Sequence, residues 1–330
     1  MSALSPVVGH ERAREILRRA LAARTVGAGY LFSGPAGVGK RLVAEEFVRA
    51  FLCREEGPEP CGVCPSCTRG ANAPHPDALT LGPAEKRKSI VVEQVRELTA
   101  ALALSPAWGH RRAAIIDPAD AMNANAANAL LKTLEEPPAG RTIVLVASRP
   151  GSLPATVLSR CRRVPFGVLT EEEVATVLMR AARWPEQTAR QAAALAEGSP
   201  GAALARDGKA WQEAALTARS LLGALVAGDR GAQLALAESA REGREGTSLA
   251  LQVLLGWLRQ AARGGLGLAA GAVPEELRGR GTGAVSPWIE GVLEALRRLE
   301  ANANPKLVLA TLGPGGGETG MYGRPGRPVG

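Results

Sequence analysis

The feature that most constrains the fold of this 330-residue chain is a glycine-rich segment between an apolar run and a helical pattern. The run Tyr30-Leu31-Phe32 predicts a short strand, and apolar residues at helical spacing over 41–52 predict a helix. Between them the pattern G-x-x-x-x-G-K is complete, with Gly34, Pro35, Ala36, Gly37, Val38, Gly39 and Lys40. This order predicts a phosphate-binding site, in which backbone N–H groups surround phosphates and Lys40 reaches the terminal ones.

The position after this loop departs from the usual pattern. A Ser or Thr hydroxyl there normally binds the magnesium beside the phosphates, but this chain has Arg41, which cannot ligate a cation. The run Ile115-Ile116-Asp117 predicts a strand whose terminal Asp helps to hold magnesium; alternatively, Asp117 only ends a buried strand and caps the next turn. Pro118 then stands where an acid that activates water is usual. The sequence therefore predicts a nucleotide loop without the parts that hydrolysis needs.

Alternating strands and helices continue after the loop. Apolar runs predict strands at 77–81, 113–117, 142–146 and 162–166, and helices are predicted between most of them, at 92–103 and 121–136. Such alternation predicts a parallel sheet, here of five strands, with helices on both faces. Residues 1–166 are therefore predicted to form one α/β domain.

The rest of the chain has a helical pattern. From Leu169 onward no run predicts a strand, and Gly198-Ser199-Pro200-Gly201 interrupts the helical spacing. We predict a small helical domain over 167–206 and a second helical domain over 207–312. The Gly- and Pro-rich segment 313–330 is predicted to be disordered because it has almost no apolar residues to bury.

Four cysteines lie close together within 53–67. Cys61, Cys64 and Cys67 have C-x₂-C-x₂-C spacing, and Cys53 precedes them. Four thiolates form the tetrahedral ligand set of a closed structural zinc site, so we predict a zinc knuckle inserted in the first domain. An iron–sulfur cluster, which uses related spacing, is the alternative. A redox dithiol would not need four cysteines, and nearby His75 is interpreted as a loop residue.

Composition bounds the partners and the cellular compartment. The net charge of +8 permits an acidic partner such as nucleic acid, although a codon bias towards Arg accounts for it equally well. We find neither a basic start followed by an apolar run nor an apolar stretch long enough to cross a bilayer, so we expect a cytoplasmic protein. Because the cytosol is reducing, we do not expect the five cysteines to form disulfides, and Cys161 is interpreted as a small buried residue.

Several longer motifs resemble those of the clamp-loader clade of AAA+ proteins. The resemblance covers nearly the whole chain except its final segment, and its motifs are Val8-Gly9-His10-Glu11, Tyr30 to Lys40, the cysteine knuckle, Asn128 to Pro138, Ser159-Arg160-Cys161 and Asn302 to Leu307. The Asn128 to Pro138 run and the Ser-Arg-Cys triplet are specific to this clade. The resemblance implies an AAA+ domain, a small helical lid and an all-α collar that joins a five-subunit ring.

The same resemblance implies roles that spacing alone does not. Considered by itself, Arg160 would be one arginine in a surface ion pair. In the family it matches the arginine finger that a subunit projects into the ATP site of its ring neighbour. Ser148 matches a polar sensor at the end of a core strand. Gly201 stands where hydrolysing relatives carry a second sensor Arg. The chain therefore lacks a third part that hydrolysis needs, in addition to the hydroxyl absent at Arg41 and the acid absent at Pro118.

The resemblance thus implies a non-hydrolysing subunit of a bacterial clamp loader, without ATPase activity of its own. Its expected partners are the ATPase and delta subunits of the ring and, through the complex, the sliding clamp and primer–template DNA. The loop through Lys40 keeps ATP or ADP as candidate ligands. Two other classes stay open: an ATP-hydrolysing clamp-loader subunit or other DNA-linked P-loop ATPase, and a zinc-dependent nucleic-acid-binding module.

Overall fold

The computed structural model describes residues 7–55, 57–72, 75–84, 87, 89–239, 243–264 and 274–313. The chain divides into two compact units, Met1–Val177 with Glu197–Ala202, and Leu178–Ala196 with Ala203–Gly330. The three-domain division made from the sequence stays a prediction. The segment predicted to be disordered lies, beyond Gly313, outside the described residues.

A five-stranded sheet organises the first unit. Its strands are β1 (Gly29–Ser33), β2 (Ala78–Leu81), β3 (Arg112–Ile116), β4 (Arg141–Ala147) and β5 (Arg162–Pro165). The order is β2-β3-β4-β1-β5, and every neighbouring pair is parallel. In this register Leu31 of β1 lies beside Leu145 of β4 and Arg163 of β5. The predicted five-stranded parallel sheet is therefore confirmed.

The helices of this unit connect the strands. They are α1 (Glu11–Ala22), α2 (Lys40–Leu52), α3 (Pro65–Asn72), α4 (Val92–Ala103), α5 (Ala124–Ala129), α6 (Leu131–Glu135), α7 (Ala155–Leu158) and the first turns of α8 (Glu171–Ala181). The single helix predicted over 121–136 is divided. A 3₁₀ turn covers Ala119–Ala121, and α5 begins only at Ala124 because the Asn123 side chain accepts from the N–H of Ala126 and caps it there.

The core of the first unit has two apolar layers, one on each face of the sheet. Tyr30 and Phe32 of β1 pack with Phe47 of α2 in one layer. Leu31, between them in sequence, packs in the other layer with residues such as Leu145. This alternation follows from the two-residue period of a strand. Burial on both faces fixes β1, and so fixes the loop that leaves its carboxyl end.

The second unit is helical throughout its described residues. It contains the last turn of α8, then α9 (Glu186–Leu195), the last two residues of α10 (Pro200–Leu204), α11 (Gly208–Ala227), α12 (Arg230–Ser239), α13 (Gly243–Gly264), α14 (Thr282–Glu300) and α15 (Pro305–Ala310). Buried apolar side chains on α13, Leu251, Leu254 and Leu258 among them, provide its packing surface. Among the described residues, no helix of either unit is long and apolar enough to span a membrane.

Candidate functional site

The glycine-rich loop joins β1 to α2 in a conformation that requires its glycines. Gly37 and Gly39 have φ values of +73° and +105°, which side chains rarely adopt. A Cβ on Gly34 would lie 2.2 Å from the carbonyl oxygen of Phe166. Within the described residues, the N–H groups of Gly37, Val38 and Gly39 donate to no protein acceptor. Pro35 and Ala36 beside them are exposed, so these three N–H groups can donate hydrogen bonds to an anion.

The Lys40 ammonium lies inside this loop. It donates to the carbonyl oxygens of Gly34 (2.7 Å) and Pro35 (2.5 Å) and to the Ser148 hydroxyl (3.1 Å). Burial lowers the pKa of Lys40, while the charges of Asp117 and Asp120 oppose that shift. Ser148 directly follows β4, the strand beside β1, and this adjacency brings Ser148 to Lys40.

Asp117 and Arg41 face each other beside the loop. Asp117 follows β3, and its Oδ2 lies 3.4 Å from Nη1 of Arg41. Arg41 also donates from Nε to Glu45, one turn along α2, at 2.8 Å. Burial raises the pKa of Asp117, and the Arg41 guanidinium works against that shift. A guanidinium thus stands next to the carboxylate at which a magnesium-binding loop would place its cation.

A segment distant in sequence lies directly on the loop. The Gly201 N–H donates to the carbonyl oxygen of Gly37 (2.9 Å), and the Ser199 hydroxyl donates to that of Ala36 (2.9 Å). A Cβ on Gly201 would lie 2.7 Å from the Cα of Gly37, closer than real side chains approach. The close backbone contact therefore leaves no room for a side chain at position 201, the position at which the sequence resemblance led us to expect a missing sensor Arg.

The four cysteines of the knuckle converge. Cys53 ends the α2 region, Cys61 and Cys64 lie in the following loop, and Cys67 is on α3. All four sulfur atoms lie within 4.8 Å of one another, with Cys53 to Cys64 at 3.9 Å and Cys61 to Cys67 at 4.0 Å. A tetrahedral zinc ion with Zn–S bonds of about 2.3 Å separates its sulfur ligands by about 3.8 Å. The cluster is therefore compatible with Zn²⁺.

Local hydrogen bonds favour thiolates in this cluster. The backbone N–H of Cys61 donates to the sulfur of Cys53 (3.4 Å), and that of Cys64 donates to the sulfur of Cys61 (3.3 Å). Burial raises the pKa of Cys64, but hydrogen bonds from backbone groups and neighbouring thiols outweigh it and lower that pKa to about 6. Burial raises the pKa of Cys67 and Cys53. A thiolate at Cys64 beside the buried thiols of Cys53 and Cys67 suits a divalent cation, which would draw protons from those two thiols.

Arg160 lies between α7 and β5. Its Nη1 donates to the carbonyl oxygen of Thr156 (2.9 Å), and its Nη2 lies 2.5 Å from Oε1 of Glu135. The side chain keeps 35% of its surface exposed. Cys161 beside it is buried, which raises its pKa to about 11 and keeps the thiol protonated at neutral pH.

The predicted residues fall into three separate places. The loop, Asp117 and Ser148 meet at the carboxyl ends of β1, β3 and β4. The cysteine cluster lies beyond the end of α2. Arg160 is at the opposite edge of the sheet, because it precedes β5, and its carbonyl oxygen lies close to Gly29 at the amino end of β1. Five residues of strand separate the two edges by about 16 Å, so Arg160 cannot serve its own loop.

Some contacts of these sites were not predicted. Glu45 pairs with Arg41, Glu135 pairs with Arg160, and Asp120 accepts from the N–H groups of Ser148 and Arg149. Only the first had a signal in the sequence, since an acid four residues after an arginine on a helix faces it. The other contacts depend on which strands are neighbours.

These features define the class of the first unit. The strand order, the loop after β1 and the polar residues after β3 and β4 are those of a P-loop AAA+ domain. Residues 9–170 match the protein family described as "DNA polymerase III, delta subunit". The DNA polymerase III subunit delta' of Pseudomonas aeruginosa is 39% identical over 176 residues, which are 52% of this chain and 53% of that protein.

Two other similarities accompany these. The DNA polymerase III subunit tau of Bacillus subtilis is 34% identical over 170 residues, 51% of this chain and 30% of that protein. A solved gamma-subunit-related DNA polymerase III protein of Thermotoga maritima is 19% identical and covers 91% of this chain and 97% of its own, with a TM-score of 0.44. Over about half of its length the chain is therefore similar to subunits of DNA polymerase III, delta' and tau among them. The chain spans about half the length of the curated relatives it matches, or less.

Proposed function

We propose that this chain is a non-hydrolysing, delta'-like subunit of a bacterial DNA polymerase III clamp loader. In this role it helps to load the sliding clamp onto primed DNA and donates Arg160 in trans to the ATP site of the adjacent ATPase subunit. The observation that carries the proposal is the position of Arg160. The side chain is partly exposed and lies at the sheet edge opposite its own loop, so a phosphate that it contacts must belong to another chain.

The chain's own loop supports the non-hydrolysing role. Arg41 lies against Asp117 in place of a magnesium ligand, and Pro118 has no proton acceptor for an attacking water. The Gly37–Gly201 contact leaves no room for a sensor side chain. The N–H groups of the loop keep the capacity to bind ATP or ADP, so Lys40, Asp117 and Ser148 are proposed as a passive nucleotide site.

The cysteine cluster is proposed to hold one structural Zn²⁺ through Cys53, Cys61, Cys64 and Cys67. The sulfur separations and the N–H···S hydrogen bonds support this proposal. The metal would join the end of α2 to α3. The chain itself is proposed to act in the cytoplasm. Its proposed partners are the other ring subunits, and it reaches the clamp and primer–template DNA through the complex.

The test is reconstitution with ATPase and delta subunits, followed by DNA-stimulated ATP turnover. Arg160→Ala should leave assembly intact and reduce turnover at the adjacent site by about 10³-fold or more, which appears as loss of that site's share of the total. Arg190→Ala is the matched control, because Arg190 is also an exposed arginine in an ion pair, with Glu186. Equal turnover for Arg160→Ala and the wild type would refute the finger role.

A second candidate is an ATP-hydrolysing clamp-loader subunit, because a subunit named tau matches about half of the chain. It predicts ATP turnover near 1 s⁻¹ by the isolated chain, abolished by Lys40→Ala. We expect no such turnover. Its detection, with loss in the Lys40 variant, would replace the first proposal by the second.

A further inference from the structure

The guanidinium of Arg160 is held by a carboxylate of its own chain. Nη2 lies 2.5 Å from Oε1 of Glu135, while Nη1 donates to the Thr156 carbonyl at 2.9 Å. Within the described part of the chain, Glu135 is the carboxylate that lies within ion-pair distance of Arg160. A phosphate approaching Arg160 therefore meets a paired charge, not an isolated cation.

The fold fixes the two partners relative to each other. Leu134 precedes Glu135 and Cys161 follows Arg160, and both are buried in the same apolar layer. Both also lie against Gly29, where a Cβ would be 2.7 Å from Leu134 Cδ2 and 3.0 Å from Cys161 Sγ. The backbones at Glu135 and Arg160 are thus anchored by adjacent buried residues, and the ion pair follows from that anchoring.

The Glu135–Arg160 ion pair is weak enough for another anion to replace the carboxylate. Glu135 keeps 48% and Arg160 keeps 35% of its side chain exposed, so water screens the attraction. The triphosphate of a nucleotide carries several negative charges and can displace a single carboxylate. We propose that Glu135 neutralises Arg160 in the resting chain and releases it to the polyphosphate bound by a neighbouring subunit. This inference rests on the proposed function, and it makes Glu135 a residue that weakens the neighbour's affinity for ATP.

The test uses the reconstituted complex with Glu135→Gln, which removes the charge and keeps the size of the side chain. The dissociation constant for a slowly hydrolysed ATP analogue should fall by about two- to fivefold, the range of an exposed ion pair. Glu136→Gln is the matched control, because it makes the same charge change one residue away, at an exposed position without an ion pair among the described residues. It should leave the dissociation constant unchanged. In an Arg160→Ala background, Glu135→Gln should have no effect.

The outcomes separate this inference from the function on which it rests. If Arg160→Ala changes neither turnover nor affinity, the proposed function fails and the inference fails with it. If Arg160→Ala impairs the complex but Glu135→Gln leaves the affinity unchanged, or weakens it, only the inference is overturned. An equal effect of Glu135→Gln with and without Arg160 would also overturn it. So would a failure of Glu135→Gln to fold, because an exchangeable exposed pair is not needed for folding.

Discussion

The contact of Gly201 with the phosphate loop gives a prediction in which structure and helix propensity oppose each other. Gly201 is in the first turn of α10, where replacement of Gly by Ala ordinarily favours the helix by about 0.5–1 kcal/mol. Its added Cβ, however, would lie 2.7 Å from the Cα and 3.0 Å from the carbonyl oxygen of Gly37. These are backbone atoms of a loop packed on β1, and they cannot rotate away.

Overpacking against such fixed atoms costs about 1–3 kcal/mol. With the middle of each range, about 2 kcal/mol of overpacking less about 0.75 kcal/mol of helix propensity, Gly201→Ala should destabilise the chain by about 1 kcal/mol. For a denaturant slope of about 2 kcal/mol per molar urea, the unfolding midpoint should fall by about 0.5 M. The midpoint, followed by far-UV circular dichroism, is the appropriate quantity because two compact units need not unfold together.

Gly223→Ala is the matched control. Gly223 is in the interior of α11, and a Cβ there meets no atom within 4 Å. The same substitution should therefore raise the stability by about 0.5–1 kcal/mol. A Gly201→Ala variant as stable as the wild type or more stable, beside a stabilised Gly223→Ala variant, would refute the close contact of segment 197–202 with the loop. It would also remove the steric reason for the absence of a side chain at position 201.

Three further predictions concern the loop, the cysteines and a buried acid. Arg41→Thr replaces the guanidinium beside Asp117 with a hydroxyl, so it should make nucleotide affinity depend on Mg²⁺. Calorimetry with and without EDTA measures this, and an affinity that stays the same with and without Mg²⁺ would contradict the role given to Arg41. Metal analysis should find about one Zn per chain and much less in Cys67→Ser, whereas iron with a brown colour would favour a cluster. Burial raises the pKa of Glu46 in the folded protein. Protonation of Glu46 therefore favours folding, and the folded protein loses stability as pH rises above about 4.5, the unfolded pKa. Glu46→Gln should therefore be more stable than the wild type at pH 7, with the difference vanishing below the unfolded pKa; a difference independent of pH would exclude the carboxylate as its cause.

The sequence predicted the parts of the fold that depend on local patterns. The strands lie within one residue of their predicted positions, and α4 spans Val92–Ala103 as predicted, because apolar periodicity and buried runs decide these elements. The convergence of Cys53 with Cys61, Cys64 and Cys67 was also predictable, since all four are close in sequence. The assignment of Arg160 needed the family resemblance, because one arginine in a basic chain carries no pattern of its own.

Other features depend on long-range neighbours that periodicity does not specify. Glu135 meets Arg160 because α6 and the segment between α7 and β5 both lie at the amino end of β1, and the order of strands determines that adjacency. The position of Ser199 and Gly201 on the loop likewise joins residues far apart in the chain. The break at Asn123 was local, but a side-chain cap competes with continuation of a helix, and helical spacing alone does not show which prevails.

The placement of Arg160 and the loop at opposite edges of one sheet gives the molecule a polarity. In a head-to-tail ring such a subunit has a donating side and a receiving side, and the two are not interchangeable. With Arg160 acting as proposed, the donating side works while the receiving side, at Arg41 and Asp117, is silent. A defect at Arg160 would then silence the adjacent ATP site without emptying a place in the ring, because the altered chain still assembles while the neighbouring subunit is left without its arginine.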